Sequence, residues 1–598
     1  MSVETVETAS LATKGGGWLL ATTEPSAIFT PDRFTEEHKL IGQTADEFMS
    51  TEVLPNIDRL EQKDWAFARQ LLRHCGEIGL LGADTPEAYG GVHLDKISSL
   101  ILSERLALSA SFATSYGAQV NLSLLAILLF GTEAQKQKYV PRLVTAEIIG
   151  AYGLSESGAG SDALAAKTRA MRQADGSFVI TGEKMWISNG GFADLFIIFA
   201  KVDGQHFTAF IVERENAGVS TGKEEHKMGL LGSSTTSVVL QDVRVPAESV
   251  LGEVGKGHRV AFNVLNFGRL KLGFMCAGGS IAVIGESARY AAARQQFGHP
   301  IATFGAIKYK IGEMSARTYA LESMLYRTAG LLDAAITERQ TSREDMAAVL
   351  AAGEEYAVEA SIAKVAGSEV ADYVLDENIQ IHGGNGFVKD YPAERHFRDA
   401  RVNRIFEGTS EINRLLIPGI LMRRALKGDL PIIQAAKKLQ DELMAPPQMG
   451  ARTTGGLLGD EQHTVASFKK VALAVMGVGM LRHAEKLADE QEVMFSIADI
   501  LIDTYQAESA VLRAIDAAAR SLPRAALQQD AAQVFVSDAA ARVEFNAKQA
   551  LAALADGDML RMHLAALRRL LKPAPVNAIA SRRRIADATV AKGGYLFR

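Results

Sequence analysis

The chain has 598 residues, 47% of them apolar and 22% charged, with a formal net charge of −6. This is the composition of an ordinary globular protein with room for three or four domains. Its basic residues are dispersed rather than clustered, which argues against a nucleic-acid partner and leaves any anionic ligand to a locally built site. Two cysteines, Cys75 and Cys276, are too few for a disulfide framework and stand in no metal-ligand spacing, so a reducing compartment and no metal centre are expected.

The first thirty residues carry Lys14 as their only basic side chain against Glu4, Glu7 and Glu24. That is the wrong balance for a secretory or transit leader and predicts a cytoplasmic start. Over residues 35–150 apolar side chains recur at helical spacing (Leu71, Leu72, Cys75, Ile78; then Leu122, Leu125, Leu129), which predicts an N-terminal helical domain. The longest uninterrupted apolar run, 124–130, is far short of the ~20 residues a bilayer span needs, so no transmembrane helix is expected. From 151 to 255 the pattern turns to short β-branched and aromatic runs at 178–181, 195–200, 208–212 and 237–245, separated by Asp175-Gly176, Asn189-Gly190-Gly191 and Asp203-Gly204. A small, mostly antiparallel β domain follows from this. Helical periodicity returns over 256–426, interrupted chiefly by Gly383-Gly384-Asn385-Gly386. Residues 427–459 read as a linker, rich in Pro, Gly and Thr from Pro446 onward, and 460–598 as an all-helical extension punctuated by Pro523 and Pro573. The expected fold is mainly α with a central β domain.

The sequence lacks G-x-G-x-x-G after a strand, G-x-x-x-x-G-K-[ST], H-E-x-x-H and G-x-S-x-G, so nicotinamide, P-loop, zincin and hydrolase readings lose their anchors. Six other segments stand out. Residues 152–162 end in a Gly-Ala-Gly-Ser turn whose backbone N–H groups are free to meet a ligand. Met185-Trp186-Ile187-Ser188 places an aromatic face beside a hydroxyl, suited to a planar cofactor, although a tryptophan in a strand is more often buried in its sheet. Asn266-Phe267-Gly268-Arg269 offers a guanidinium for a polyanion. Arg294-Gln295-Gln296-Phe297-Gly298 and Gln380-Ile381-His382-Gly383-Gly384 follow, and Arg404-Ile405-Phe406-Glu407-Gly408-Thr409-Ser410-Glu411 closes the series.

In this order the segments resemble the acyl-CoA dehydrogenase family across roughly residues 34–426, and most closely its very-long-chain branch, which also carries a helical C-terminal extension. The resemblance implies a helical domain, an antiparallel β domain and a four-helix bundle, with FAD as cofactor. It implies that Glu407 is the catalytic base. Leu154, Ser155, Gly160 and Ser161 would lie along the flavin, Ser161 touching acyl-CoA as well, and Trp186 and Ser188 would flank the ring. Arg294, Gln296 and Phe297 would reach the flavin of another protomer, facing Gln380, Gly383 and Gly384, which makes the protein at least a homodimer. Thr409 and Glu411 would touch the flavin, and Asn266, Arg269, Phe406 and Gly408 the substrate. Gly268 stands where a minority of the family carries its base, so that alternative is absent. His382 reads as structural, and Asp399 and Arg401, with Arg395 and Arg398, as a salt-bridged approach to the site.

The chemistry so implied is conversion of a saturated fatty acyl-CoA to its trans-2-enoyl-CoA in fatty acid β-oxidation, with electrons passed to electron-transferring flavoprotein. Small residues at Ser123 and Ala126, on the helix that by resemblance lines the acyl pocket, point to long-chain substrates. The apolar stretch 465–481 is expected to pack in a core, with contact to a membrane surface as its alternative. An acyl-CoA oxidase, and a flavin-binding scaffold or assembly protein of the same fold, stay open as rivals.

Overall fold

The structure, a computed structural model, describes residues 11–342, 344–445 and 455–598. Part of the acidic start and most of the Pro/Gly/Thr-rich stretch therefore lie outside the described residues.

The N-terminal helices are α1 (Glu36–Phe48), α2 (Trp65–Glu77), α3 (Lys96–Arg105), α4 (Ala110–Gly117), α5 (Leu125–Phe130) and α6 (Glu133–Val144). Reciprocal capping boxes fix two of the starts: Thr35 Oγ1 accepts from His38 N while His38 Nδ1 accepts from Thr35 N, and Thr132 and Gln135 repeat the exchange before α6. A π-helical turn, Ala118–Leu124, joins α4 to α5 and makes one bent rod of the pair.

Eight strands follow: β1 (Gly150–Gly153), β2 (Arg169–Arg172), β3 (Phe178–Ser188), β4 (Leu195–Val202), β5 (His206–Glu213), β6 (Val219–Thr221), β7 (Thr235–Val245) and β8 (Val250–Leu251). They form one sheet in the order β6-β7-β3-β2-β4-β5-β8, with β1 on β4. The sheet is mostly antiparallel, as expected, with two parallel pairings, since β1 and β2 both run parallel to β4. β4 is buried on both faces: Leu195, Ile197 and Phe199 join the helical core, whereas Phe196, Ile198, Ala200 and Val202 join a core shared with α1 and α2. That double burial explains why its sequence is an unbroken apolar run instead of an alternating one.

The second helical domain holds α7 (Gly257–Ala293), a short hairpin at 295–300, α8 (Gly305–Arg339), α9 (Met346–Glu355), α10 (Ala357–His382), α11 (Ala393–Ala400) and α12 (Ser410–Lys427). The stretch expected as linker carries a further helix, α13 (Ile432–Met444), amphipathic and seated on its neighbour through Ile432 and Leu439. The extension is α14 (Gly459–His483), α15 (Gln491–Ala519), α16 (Ala525–Leu554), α17 (Gly557–Leu570) and α18 (Ala578–Lys592). It docks on α8 through buried ion pairs, Arg327 with Glu508 at 2.8 Å and Arg513 with Glu322, and Arg513 also holds Asp32 of the N-terminal segment. Gly477 turns toward Ala436 of α13 and Gly479 toward Leu487, so this stretch packs against its neighbours.

The expectation that no helix is long and apolar enough to cross a membrane is corrected. Ala110–Phe130, Gly257–Ala293 and Gly459–Asp489 all qualify by length and composition. An uninterrupted apolar run understates these helices, because isolated polar residues such as Gln119, Asn121 and Arg269 interrupt the run without lowering the average hydropathy much. The first two are largely enclosed by the fold, the third only about half.

Candidate active site

Glu407 lies in the loop between α11 and α12. It has φ +58° and Gly408 has φ +79°, two successive left-handed residues, of which only the glycine adopts that conformation freely. The surrounding residues over-determine the turn. Asn413 Nδ2 donates to the carbonyls of Gly408 (2.9 Å) and Thr409 (3.0 Å), Arg269 Nε donates to the Glu407 carbonyl (3.1 Å), and Thr409 Oγ1 caps α12 by accepting from Ile412 N.

The carboxylate rests on the α-carbon of Gly268, where an added Cβ would come within 2.6 Å of Oε2. Glu407 is half-buried as a residue, yet its Oε2 is sealed from solvent and, among the described residues, has no hydrogen-bond partner. Burial lifts the acid from the ordinary 4.5 to about 7, restrained by the charges of Arg269 and Lys364. Tyr152, on β1, also buries a hydroxyl without a partner, and Glu407 is the charged group that acts on it. A strongly shifted acid held without a partner is the usual signature of a general base rather than of a structural carboxylate.

The remaining predicted residues form two groups. The turn after β1 is positioned by Lys184 of β3, whose ammonium donates to the Leu154 carbonyl (3.3 Å) and to Glu156 (2.7 Å), while Glu156 accepts from Lys167 N and Thr168 N. Met185 N donates to the Ser155 carbonyl at 2.9 Å, so the Ser155 and Trp186 segments lie side by side. A register shift between Lys184 and Ile187 lifts Trp186 out of the sheet at φ +57°, 57% exposed. The buried-sheet reading of that tryptophan is therefore wrong. Ser161 is exposed and Ser188 half-buried, and nothing stands within 4 Å of a Cβ placed on Gly158 or Gly160.

The second group stands on the far end of α7. Tyr290 accepts Arg294 N on its carbonyl, donates its hydroxyl to the His382 carbonyl and accepts from Asn385 Nδ2. It thereby ties the Arg294–Phe297 hairpin to the Gln380–Gly384 turn. Gln296, Phe297 (90% exposed), Gln380, Gly383 and Gly384 all face outward. Among the described residues no hydrogen bond or ring contact joins this group to the Glu407 group. His382 is structural, as expected: Nδ1 meets the Asn378 carbonyl at 2.8 Å and the ring stacks on Tyr290.

Three site expectations change. Arg269 is 6% exposed and spends its guanidinium on the Glu407 carbonyl and, at 3.0 Å, on Asn266 Oδ1. It therefore shapes the base's loop and does not reach outward for a polyanion. Asn266 is half-buried beside the Gly353 carbonyl, and Phe406 and Gly408 flank the base. Among the described residues Asp399 pairs with no arginine but accepts from Leu230 N, pinning the 226–234 loop, while Arg398 pairs with Glu394. Room expected at Ser123 is filled by β1, since a Cβ on Gly150 would fall 2.4 Å from Ser123 Cβ. Glu411 is exposed and held below the ordinary range by its helix N-terminus and by Thr409.

Sequence reasoning passed over Tyr152, Glu156, Lys184 and Lys364. The last two had a visible signal, a lone lysine at an inward position of an apolar strand or helix. No group of three or more His, Cys, Asp or Glu able to hold a metal ion occurs among the described residues.

A strained loop that seals a base of raised pKa, next to an outward-turned indole and an open glycine turn, defines a cofactor-dependent proton-abstracting enzyme. Comparison with known proteins makes this specific. Family models match in chain order: acyl-CoA dehydrogenase N-terminal domain at 35–147, middle domain at 151–243, C-terminal domain at 255–421, and a further C-terminal domain at 467–569. A "Probable acyl-CoA dehydrogenase" of Bacillus subtilis is 47% identical over 96% of this chain and 97% of its own. "Very long-chain specific acyl-CoA dehydrogenase, mitochondrial" of Bos taurus is 34% identical over 87% and 80%. The crystal structure of acyl-CoA dehydrogenase complexed with FAD from Bacillus anthracis superposes with a TM-score of 0.95 at 46% identity, covering 98% of this chain and all of that one. The chain belongs to the acyl-CoA dehydrogenase family.

Proposed function

We propose that this protein is an FAD-dependent acyl-CoA dehydrogenase that introduces a trans double bond between the α and β carbons of a saturated long-chain fatty acyl-CoA. The observation that carries this reading is the partnerless, buried Oε2 of Glu407, lifted to about 7. The residues present fit FAD. Gly383 and Gly384, like Gly158 and Gly160, leave open space where a side chain would stand, and Trp186 is held outward in a backbone conformation that costs energy without a ligand to stack on. Leu154, Ser155, Gly160, Ser161, Trp186, Ser188, Thr409 and Glu411 would hold the flavin of one protomer. Arg294, Gln296, Phe297, Gln380, Gly383 and Gly384 would complete a flavin site across a homodimer, in keeping with their exposure in a single chain.

When bound, FAD supplies the electron sink that accepts the β hydrogen as a hydride. Everything else falls to the chain. Glu407 removes the α proton onto Oε2, and the strained, multiply bonded turn keeps that oxygen from drifting. Sealing from water strengthens the electrostatics that make so weak a carbon acid yield its proton. Long-chain substrates are supported by the likeness to the very-long-chain enzyme, extension included. Electrons then pass to an electron-transferring flavoprotein, as in fatty acid β-oxidation. Hydrogen peroxide formed in proportion to turnover would replace that acceptor with oxygen.

Anaerobic palmitoyl-CoA added to the yellow protein is expected to bleach the flavin, and Glu407→Gln to stay yellow without bleaching. Bleaching by the Gln variant at an unreduced rate would refute Glu407 as the base.

A further inference from the structure

Lys364 sits on α10 in the apolar stretch Ile362-Ala363-Lys364-Val365 and is 0% exposed. Its ammonium donates to Ser410 Oγ at 3.2 Å, and among the described residues no carboxylate lies within ion-pair distance of it. Ser410 is itself buried and opens α12, so the charge stands at the positive end of a helix, where a cation is disfavoured. A lysine so enclosed ordinarily pairs directly or releases its proton.

Burial lowers this one from 10.5 to about 8. The groups holding it up are Cys276 from α7, Glu411 from α12, Glu407 from the loop and Glu369 from its own helix. The dependence is mutual, because the same ammonium lowers Glu407. Around Glu407 stand three groups, namely Arg269 from α7, Lys364 from α10 and the Tyr152 phenol from β1. Arg269 is already committed to the loop carbonyl and to Asn266. Lys364 alone offers a charge whose one hydrogen bond goes to a neutral hydroxyl.

We propose that Lys364 is a positioning residue for the base: its unpaired buried ammonium, held on Ser410 behind the catalytic turn, keeps the Glu407 carboxylate charged and ready at neutral pH. This rests on Glu407 being the base. Losing the ammonium leaves burial opposed by Arg269 alone, so Glu407 holds its proton to higher pH and the acid limb of kcat/KM moves upward. Above about 8 Lys364 gives up its own proton, and the difference from the unmodified enzyme should fade.

The test is the pH profile of kcat/KM for palmitoyl-CoA in holoenzyme carrying Lys364→Gln or Lys364→Met. Gln keeps a hydrogen bond to Ser410 and fills similar volume. Ser410→Ala serves as the variant that removes the bond and keeps the charge. Both Lys364 variants are expected to lose about tenfold at acid pH for each pH unit their limb moves, and to converge with the unmodified enzyme near pH 9. Ser410→Ala should keep the limb where it was, whatever its rate. An unmoved limb in both Lys364 variants, an equal shift in Ser410→Ala, or failure of both Lys364 variants to yield yellow protein would overturn the proposal. Glu407→Gln in the same assay separates the two readings: if it is inactive while the Lys364 limbs stay put, only this inference falls, and if it is active the base assignment itself has failed.

Discussion

The acid that performs the chemistry should destabilise the protein that holds it, and Glu407→Gln measures by how much. In the fold, ionisation waits until about pH 7, whereas an unfolded glutamate ionises near 4.5. A group whose folded pKa is raised contributes stability that is intact below the unfolded value and is lost as pH climbs toward the folded one. At about 1.4 kcal/mol for each tenfold, the penalty on the charged form grows from nothing near pH 4.5 to roughly 3 kcal/mol by pH 7 and above. A neutral Gln of nearly the same shape never incurs it. Thermal unfolding of holoenzyme, followed by flavin release, should show the two proteins together at pH 5 and the Gln variant more stable by about 3 kcal/mol at pH 8. For a chain this long that is only a few degrees, about 2–3 °C if the core unfolds as one unit, so the divergence with pH matters more than any single value. Parallel curves across that interval would mean that the Glu407 carboxylate is hydrated and the raised acid is not a property of the folded site.

Two further outcomes follow from the same geometry. Gly268→Ala puts a methyl 2.6 Å from the resting position of Oε2. It should lower kcat by about 100-fold by displacing the base while leaving flavin binding intact, and a rate within a factor of two of the unmodified enzyme in stopped-flow bleaching would show that the carboxylate does not rest there. Trp186→Gly removes an exposed indole from a left-handed backbone position. It should weaken flavin retention on dilution while leaving the apoprotein as stable or more so by about 1 kcal/mol, and an unchanged flavin affinity would free Trp186 of its cofactor role.

How much of this was legible beforehand depended on whether the signal was local. The runs at 178–181, 195–200, 208–212 and 237–245 mark β3, β4, β5 and β7 because β-branched residues bounded by Asp-Gly and Asn-Gly turns announce strands by themselves. β1 and β2 are four residues each and owe their existence to pairing, β1 with β4 and β2 chiefly with β3, so no window on the sequence reveals them. α13 was hidden by proximity to the Pro-Gly-rich stretch that follows it. Glu407 was legible through its motif, whereas its strain and its contact with Gly268 are properties of a turn closed by Asn413 and Arg269, the latter 138 residues away. Arg269 was misread for the same reason: a guanidinium on a helix looks available until the loop that consumes it is seen.

Charge pairing is what separates architecture from chemistry in this molecule. Its interior holds many ionised groups, several of them matched: Arg327 with Glu508 and Arg513 with Glu322 fasten the extension to α8, Arg513 also holds Asp32 of the N-terminal segment, and Lys184 with Glu156 fixes the turn beside Trp186. A matched buried pair roughly offsets its own desolvation and specifies geometry, which is all a docking surface requires. Around the catalytic turn the rule is broken three times, at Glu407 Oε2, at the Tyr152 hydroxyl and at the Lys364 ammonium. Unmatched buried groups cost stability, so the fold tolerates them only where a neighbour of opposite sign or an incoming ligand completes the set. Unpaired buried carboxylates occur elsewhere, but Glu359 accepts on its other oxygen from Gly16 N and Trp18 Nε1 and Asp399 accepts from Leu230 N, so it is the conjunction of an unpartnered oxygen, a strained turn and an open glycine loop that places the reaction at Glu407.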